Sequence, residues 1–209
     1  MTESPALVEF QETARDAFGY LGREFAFREL EPPAKYLEVN PFIVWFANAT
    51  TLVRVEGINW GFAAQVMLGP ADAEDGWHDT VPLWAVIKHR RPELYEEVTT
   101  SAGQLGDIRL YAHALRETAD DVLRGDFGVF AAARAIVEAQ GVQQRLRQQE
   151  ESRERGRSAA VAAAADAFRA GDFRLVVDLL MPHADLLTPA ERARLDYARA
   201  RAGQGNGAV

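Results

Sequence analysis

Apolar residues recur at intervals of three and four near the start of the chain. Leu7, Phe10, Ala14, Ala17, Phe18 and Leu21 share one side of a helix predicted from about Ser4 to Gly22. Ser4 suits the cap, and Pro5 suits the first helical position, where its missing N–H would be unpaired anyway. The run LEPP (30–33) ends that pattern, and a different rhythm follows. YLEV (36–39), FIVWFA (42–47), TLVRVEG (51–57) and WGFAAQVML (60–68) are rich in β-branched and aromatic residues. NATT (48–51) and GIN (57–59) read as the hairpin turns between them. Leu52, Arg54 and Glu56 alternate with Val53 and Val55, while Trp60, Phe62, Ala64, Val66 and Leu68 share one face. Alternation of this kind predicts three or four antiparallel strands in a meander, one face packed by helices and one wetter.

The strand rhythm stops at an acidic, glycine-containing loop, GPADAEDGWHDTVP (69–82). Helical spacing resumes in PLWAVIKHRRPELYEEV (82–98), with a break expected before Pro92. Ile108, Tyr111, Leu115, Val122 and Leu123 form a second stripe, and Phe130, Ala133 and Val137 a third, with Asp126 as its expected N-cap after Gly125. In QQRLRQQEESRERGR (143–157) Leu146 is the only apolar residue, which marks a solvated helix or linker. The predicted class is α+β, with a mixed domain over 1–142, a charged helical linker over 143–157 and a helical region over 158–209.

That last region reads as helix, turn, helix, turn, helix. Gly171 suits a left-handed helix end and Asp172 the cap of the next helix, with Val176, Leu179 and Leu180 on its apolar side and Pro182 stopping it. Thr188, Pro189 and Glu191 form a capping box, the threonine accepting from the third N–H while the glutamate reaches back to the cap N–H. RAG at 169–171 returns at 201–203, close to the roughly 34-residue tetratricopeptide period. With small residues in its first helix, Phe168 before Gly-Asp, and Pro182 after the second helix, the segment 158–203 resembles a degenerate tetratricopeptide repeat of about one and a half units. It departs from that family where AAVAAAA (159–165) replaces the early aromatic. The resemblance implies docking against another surface, because a stack of this type needs about three units for a continuous core. By element order, the N-terminal part resembles small bacterial α+β proteins of uncharacterised families, some of them suspected immunity proteins.

Charge changes the picture of partners. Residues 1–142 hold 12 basic and 22 acidic side chains, a net of −10, whereas 143–209 hold 11 and 9, a net of +2. An acidic body repels phosphate backbones, so nucleic acid is not an expected partner. No window approaches the ~20 apolar residues of a membrane span, and MTESPALVEFQETARD is unlike a secretory leader. Without cysteine there is no disulfide and no thiolate metal site. The expectation is a cytoplasmic protein that needs no cofactor or metal and engages a protein partner or itself.

Candidate chemistry is sparse. The four histidines, His78, His89, His113 and His183, make no metal-ligand spacing; the nearest grouping is His78, Asp79 and Asp75. GWHD (76–79) sets a loop histidine beside an aspartate, as a general base requires, although Trp77 as a loop anchor explains the same residues. KHRR (88–91) suits either an anion or the C-terminal dipole of its own helix. No nucleophile elbow, phosphate loop or dinucleotide motif is present. The preferred function is non-catalytic binding or assembly, immunity-like in character. The alternative is a small-molecule or enzymatic pocket between sheet and helices, lined by Trp60, His78, Asp79, His89 and Arg90.

Overall fold

The structure is a computed structural model and describes residues 4–58, 62–72, 79–100 and 102–204. It divides into two compact units, Met1–Ala139 and Gln140–Val209.

The first unit begins with α1 (Pro5–Ala17), with Pro5 in the first turn as its missing N–H allows. The single helix expected to reach Gly22 is interrupted: α1 stops at Ala17, and after Phe18 and Gly19 a separate short α2 (Tyr20–Phe25) follows, ending at Ala26 in the left-handed region, φ 56°. Five strands follow: β1 (Arg28–Leu30), β2 (Ile43–Ala47), β3 (Thr51–Ile58), β4 (Ala63–Pro70) and β5 (Val81–Pro82). They form one antiparallel sheet in chain order, so every connection joins neighbours. The central register sets Val44 against Val55 and Val55 against Val66. These residues, with Phe46, Val53, Ala64 and Leu68, form the sheet side of the main core. Helices α4 (Leu83–Arg90), α5 (Pro92–Thr99), α6 (Gln104–Thr118) and α7 (Asp120–Leu123) follow the sheet. Phe10, Phe18, Leu21, Ile87, Ile108 and Leu115 supply the helical side of that core, each fully buried. α4 ends before Pro92, as its position predicts.

Three local expectations are corrected. YLEV does not form a strand: Ala34–Leu37 is a helical turn, α3, placed after Pro32 and Pro33. A fixed φ pre-sets the start of a helix, and Ala, Lys and Leu favour its continuation. Asp126 does not cap a helix; it accepts from Gly128 N at 2.9 Å, and α8 (Phe130–Ala170) begins later. The face bearing Leu52, Arg54 and Glu56 is not wet, because all three are buried.

The second unit holds most of α8, then α9 (Phe173–Leu180), a 3₁₀ turn (Met181–His183) and α10 (Pro189–Gln204). Residues 143–156 of α8 are exposed on all sides, and their Gln, Arg and Glu content supports a helix without a buried face. From Val161 onward one side packs: Ala164, Ala167, Val176, Leu180, Leu187, Leu195 and Ala198 form a separate core. Small side chains on α8 let the helices approach, and Phe168, Phe173 and Tyr197 close one side with centroids 5.6 to 5.8 Å apart. Gly171 takes φ 76°, and Asp172 accepts from Leu175 N at 3.0 Å. The capping box forms as drawn, with Thr188 N donating to Glu191 Oε2 at 2.8 Å and Glu191 N to Thr188 Oγ1 at 3.4 Å. Among the described residues no helix is long and apolar enough to cross a membrane.

Candidate functional site

Antiparallel pairing sends alternate residues of β3 to opposite sides of the sheet. On the side away from the main core lie Leu52, Arg54 and Glu56, flanked by Ile43, Trp45 and Ala47 of β2 and by Gln65 and Met67 of β4. β3 is the middle strand, so Arg54 has no sheet edge over which its long stem can carry the charge into water. Its side chain is 0% exposed and that of Glu56 5%, with Nε and Oε1 3.3 Å apart. Gln65 Nε2 donates to the other oxygen, Glu56 Oε2, at 2.9 Å. The guanidinium lies 5.7 Å from the centre of the Trp45 ring, which packs in turn on Tyr36 of α3 at 5.2 Å. The result is an ion pair on the central strand, set on an aromatic floor. The alternation of TLVRVEG placed Arg54 and Glu56 together but carried no signal that their face would be covered.

The same end of the sheet presents apolar side chains outward. Asn40 Nδ2 donates to Gly57 O at 2.8 Å, which ties the segment after α3 to the end of β3. Ile58 pairs with Ala63, so Phe62 lies at the turn into β4. Val39 is 86% exposed and Phe62 77%, with Leu37 also exposed. Phe62 shares a sequence pattern with Ala64, Val66 and Leu68 but precedes the paired residues of β4, and so escapes burial.

The expected pocket residues have separate surroundings. Trp60 and His78 lie outside the described residues. Asp79 is exposed and faces α8, where Arg134 donates to its backbone oxygen at 3.3 Å. His89 is exposed near the end of α4. Arg90 is committed to Asp121, with two bonds of 2.6 Å, and to Thr118 O. That bidentate bond holds the Asp121 carboxyl below its ordinary range and the Arg90 guanidinium above its own. Arg90 therefore ties α4 to the α6–α7 corner. Among the described residues no group of acidic and histidine side chains could hold a metal ion.

A second polar cluster supports the hairpin. Asp107, buried at the start of α6, accepts from Ala64 N at 3.2 Å and from Ala102 N at 2.8 Å. Burial, with Asp107 and Tyr95 adding to it, pushes the Tyr111 phenol up to about 12, so it is neutral at physiological pH. At the opposite end of the sheet, Asn48 donates to Phe25 O at 3.2 Å and Leu123 O at 2.9 Å, and accepts from Thr51 N at 2.8 Å. One amide thus joins the β2–β3 turn to the ends of α2 and α7.

No protein-family model matches the chain, and no curated protein and no solved structure matches it.

Proposed function

We propose that this is a non-catalytic binding protein that works through protein contacts, with a basic partner for its first unit. The observation that carries this reading is the exposed trio Leu37, Val39 and Phe62 at one end of the sheet, on a unit whose net charge is −10. Large apolar side chains held outward cost solubility, and on folded proteins such patches mark recognition. The acidic body attracts a basic protein over long range, and the apolar end supplies short-range contact once the two meet. Asp79 and Arg90 support the same reading, since each serves a contact within the unit. The helices of the second unit, read as a degenerate tetratricopeptide hairpin, provide a further contact surface, with Leu175 and Tyr197 partly exposed.

Panning the immobilised full chain against a random peptide display library tests this. The expected winners combine Lys or Arg with large apolar residues, release in raised salt, and are not retained by V39S/F62S. Acidic or uncharged winners, or equal retention by the double variant, would overturn the reading. Light scattering on the same sample separates partner binding from self-association, since one chain weighs 23.1 kDa.

A further inference from the structure

The groove between α1, α2 and α6 concentrates positive charge within an acidic unit. Arg109, His113 and Arg116 stand on α6 at spacings of four and three, and all three are exposed. At 3.6 residues per turn they fall within an arc of about 60° on one side of the helix. Ala17 and Tyr20 form the facing wall and Ala112 the floor of a groove of about 260 Å³. No acidic side chain lines it among the described residues.

One cation is fixed in place. The Arg116 guanidinium lies 5.3 Å from the centre of the Tyr20 ring, and its Nη2 donates to Glu24 Oε1 at 2.6 Å. Tyr20 is itself anchored, its hydroxyl donating to Ala112 O at 3.2 Å. Burial drives the Tyr20 phenol well above its ordinary range, so it stays neutral and does not compete for the cations. Arg109 and His113 differ, because no described residue accepts a hydrogen bond from either. Basic groups at i,i+4 repel when charged, and nothing acidic in the groove compensates them. An anion seated between them would relieve that repulsion and meet the forked N–H donors of Arg109.

We propose that this groove binds a compact, multiply charged oxyanion of the phosphate class, with Arg109 and His113 as its donors and Arg116, held by Glu24, shaping the wall beside them. A small anion fits where a nucleic acid does not: a short cationic groove focuses the field locally, whereas the acidic remainder repels a long polyanion.

The test is a titration of the ¹⁵N-labelled full chain with inorganic phosphate and then pyrophosphate, at ionic strength held constant with chloride. Saturable shifts confined to α6 and Tyr20 are expected, with pyrophosphate binding more tightly. R109Q/H113Q, two changes at exposed positions, should weaken binding about tenfold or more, whereas R91Q, an exposed arginine elsewhere in the unit, should leave it unchanged. Shifts that follow chloride equally, fail to saturate, spread over the surface, or persist in the double variant would overturn the proposal.

Discussion

Replacing Glu56 tests the covered face of the sheet most directly. At 3.3 Å and an effective dielectric of about 20, the attraction between Arg54 and Glu56 is about 5 kcal/mol. Desolvation offsets much of that gain, so the pair adds little beyond an apolar pair of equal volume. Removing one member is different, because the partner's charge remains in a covered face. Glu56→Gln keeps the shape and the contact with Gln65 but leaves Arg54 without this counter-charge, and a loss of about 3 kcal/mol is expected. Against a total of roughly 5–15 kcal/mol for a domain, that is a large fraction. R54M/E56L removes both charges and keeps an apolar stem on Trp45, so it should recover most of the loss. Urea unfolding followed by tryptophan fluorescence reads the first unit alone, since Trp45, Trp60, Trp77 and Trp84 all precede residue 139. A Glu56→Gln cost below about 1 kcal/mol, or a double variant as unstable as the summed single changes, would refute the argument that the charges depend on each other.

Other variants probe the joints of the two units. Asn48→Ala leaves the carbonyls of Phe25 and Leu123 without their donor, and the same urea assay should show a loss of about 2–4 kcal/mol. Gly125→Ala forces a side chain onto φ 92° with its Cβ 2.7 Å from Thr50 Cβ, whereas Gly171 at φ 76° has open space around it; differential scanning calorimetry should therefore find Gly125→Ala the more damaging of the two. Thr188→Ala removes half of the capping box, and hydrogen exchange of the α10 amides should report a local loss of about 1 kcal/mol. The Glu191 carboxyl is held below its ordinary range first by Thr188 N–H and further by Arg157, so its stabilisation is present above the ordinary glutamate range and lost as pH falls through the lowered value. Protection factors at α10, with the intrinsic pH dependence of amide exchange divided out, should accordingly fall on acidification below that range, and Glu191→Gln should flatten the dependence.

Local rules made much of this fold legible from the sequence. The helical start at Pro5, the break before Pro92, the turn at Asn48, the left-handed Gly171 and the Thr188–Glu191 box each depend on residues a few positions apart, and each appears where the pattern placed it. The antiparallel meander was legible for the same reason, because alternation of Val53, Val55, Ala64, Val66 and Leu68 with their neighbours already sorts one face. Tertiary structure decided what lay beyond that range. Alternation assigned Arg54 and Glu56 to one face of β3, but only packing settled that this face is covered, so a face expected to be the wetter one holds a buried ion pair. YLEV carried strand composition, yet two prolines and the anchoring of Tyr36 on Trp45 turned it into α3. Arg90 read as a helix-end cation or an anion grip, and its commitment rests on Asp121, 31 residues away in sequence. The exposure of Phe62 depends on where pairing of β4 begins. Arg109, His113 and Arg116 are ordinary surface residues in the sequence, and only the packing of Tyr20 against α6 makes a groove of them. Side-chain partners distant along the chain leave no periodic trace, which is why the elements were readable and the sites were not.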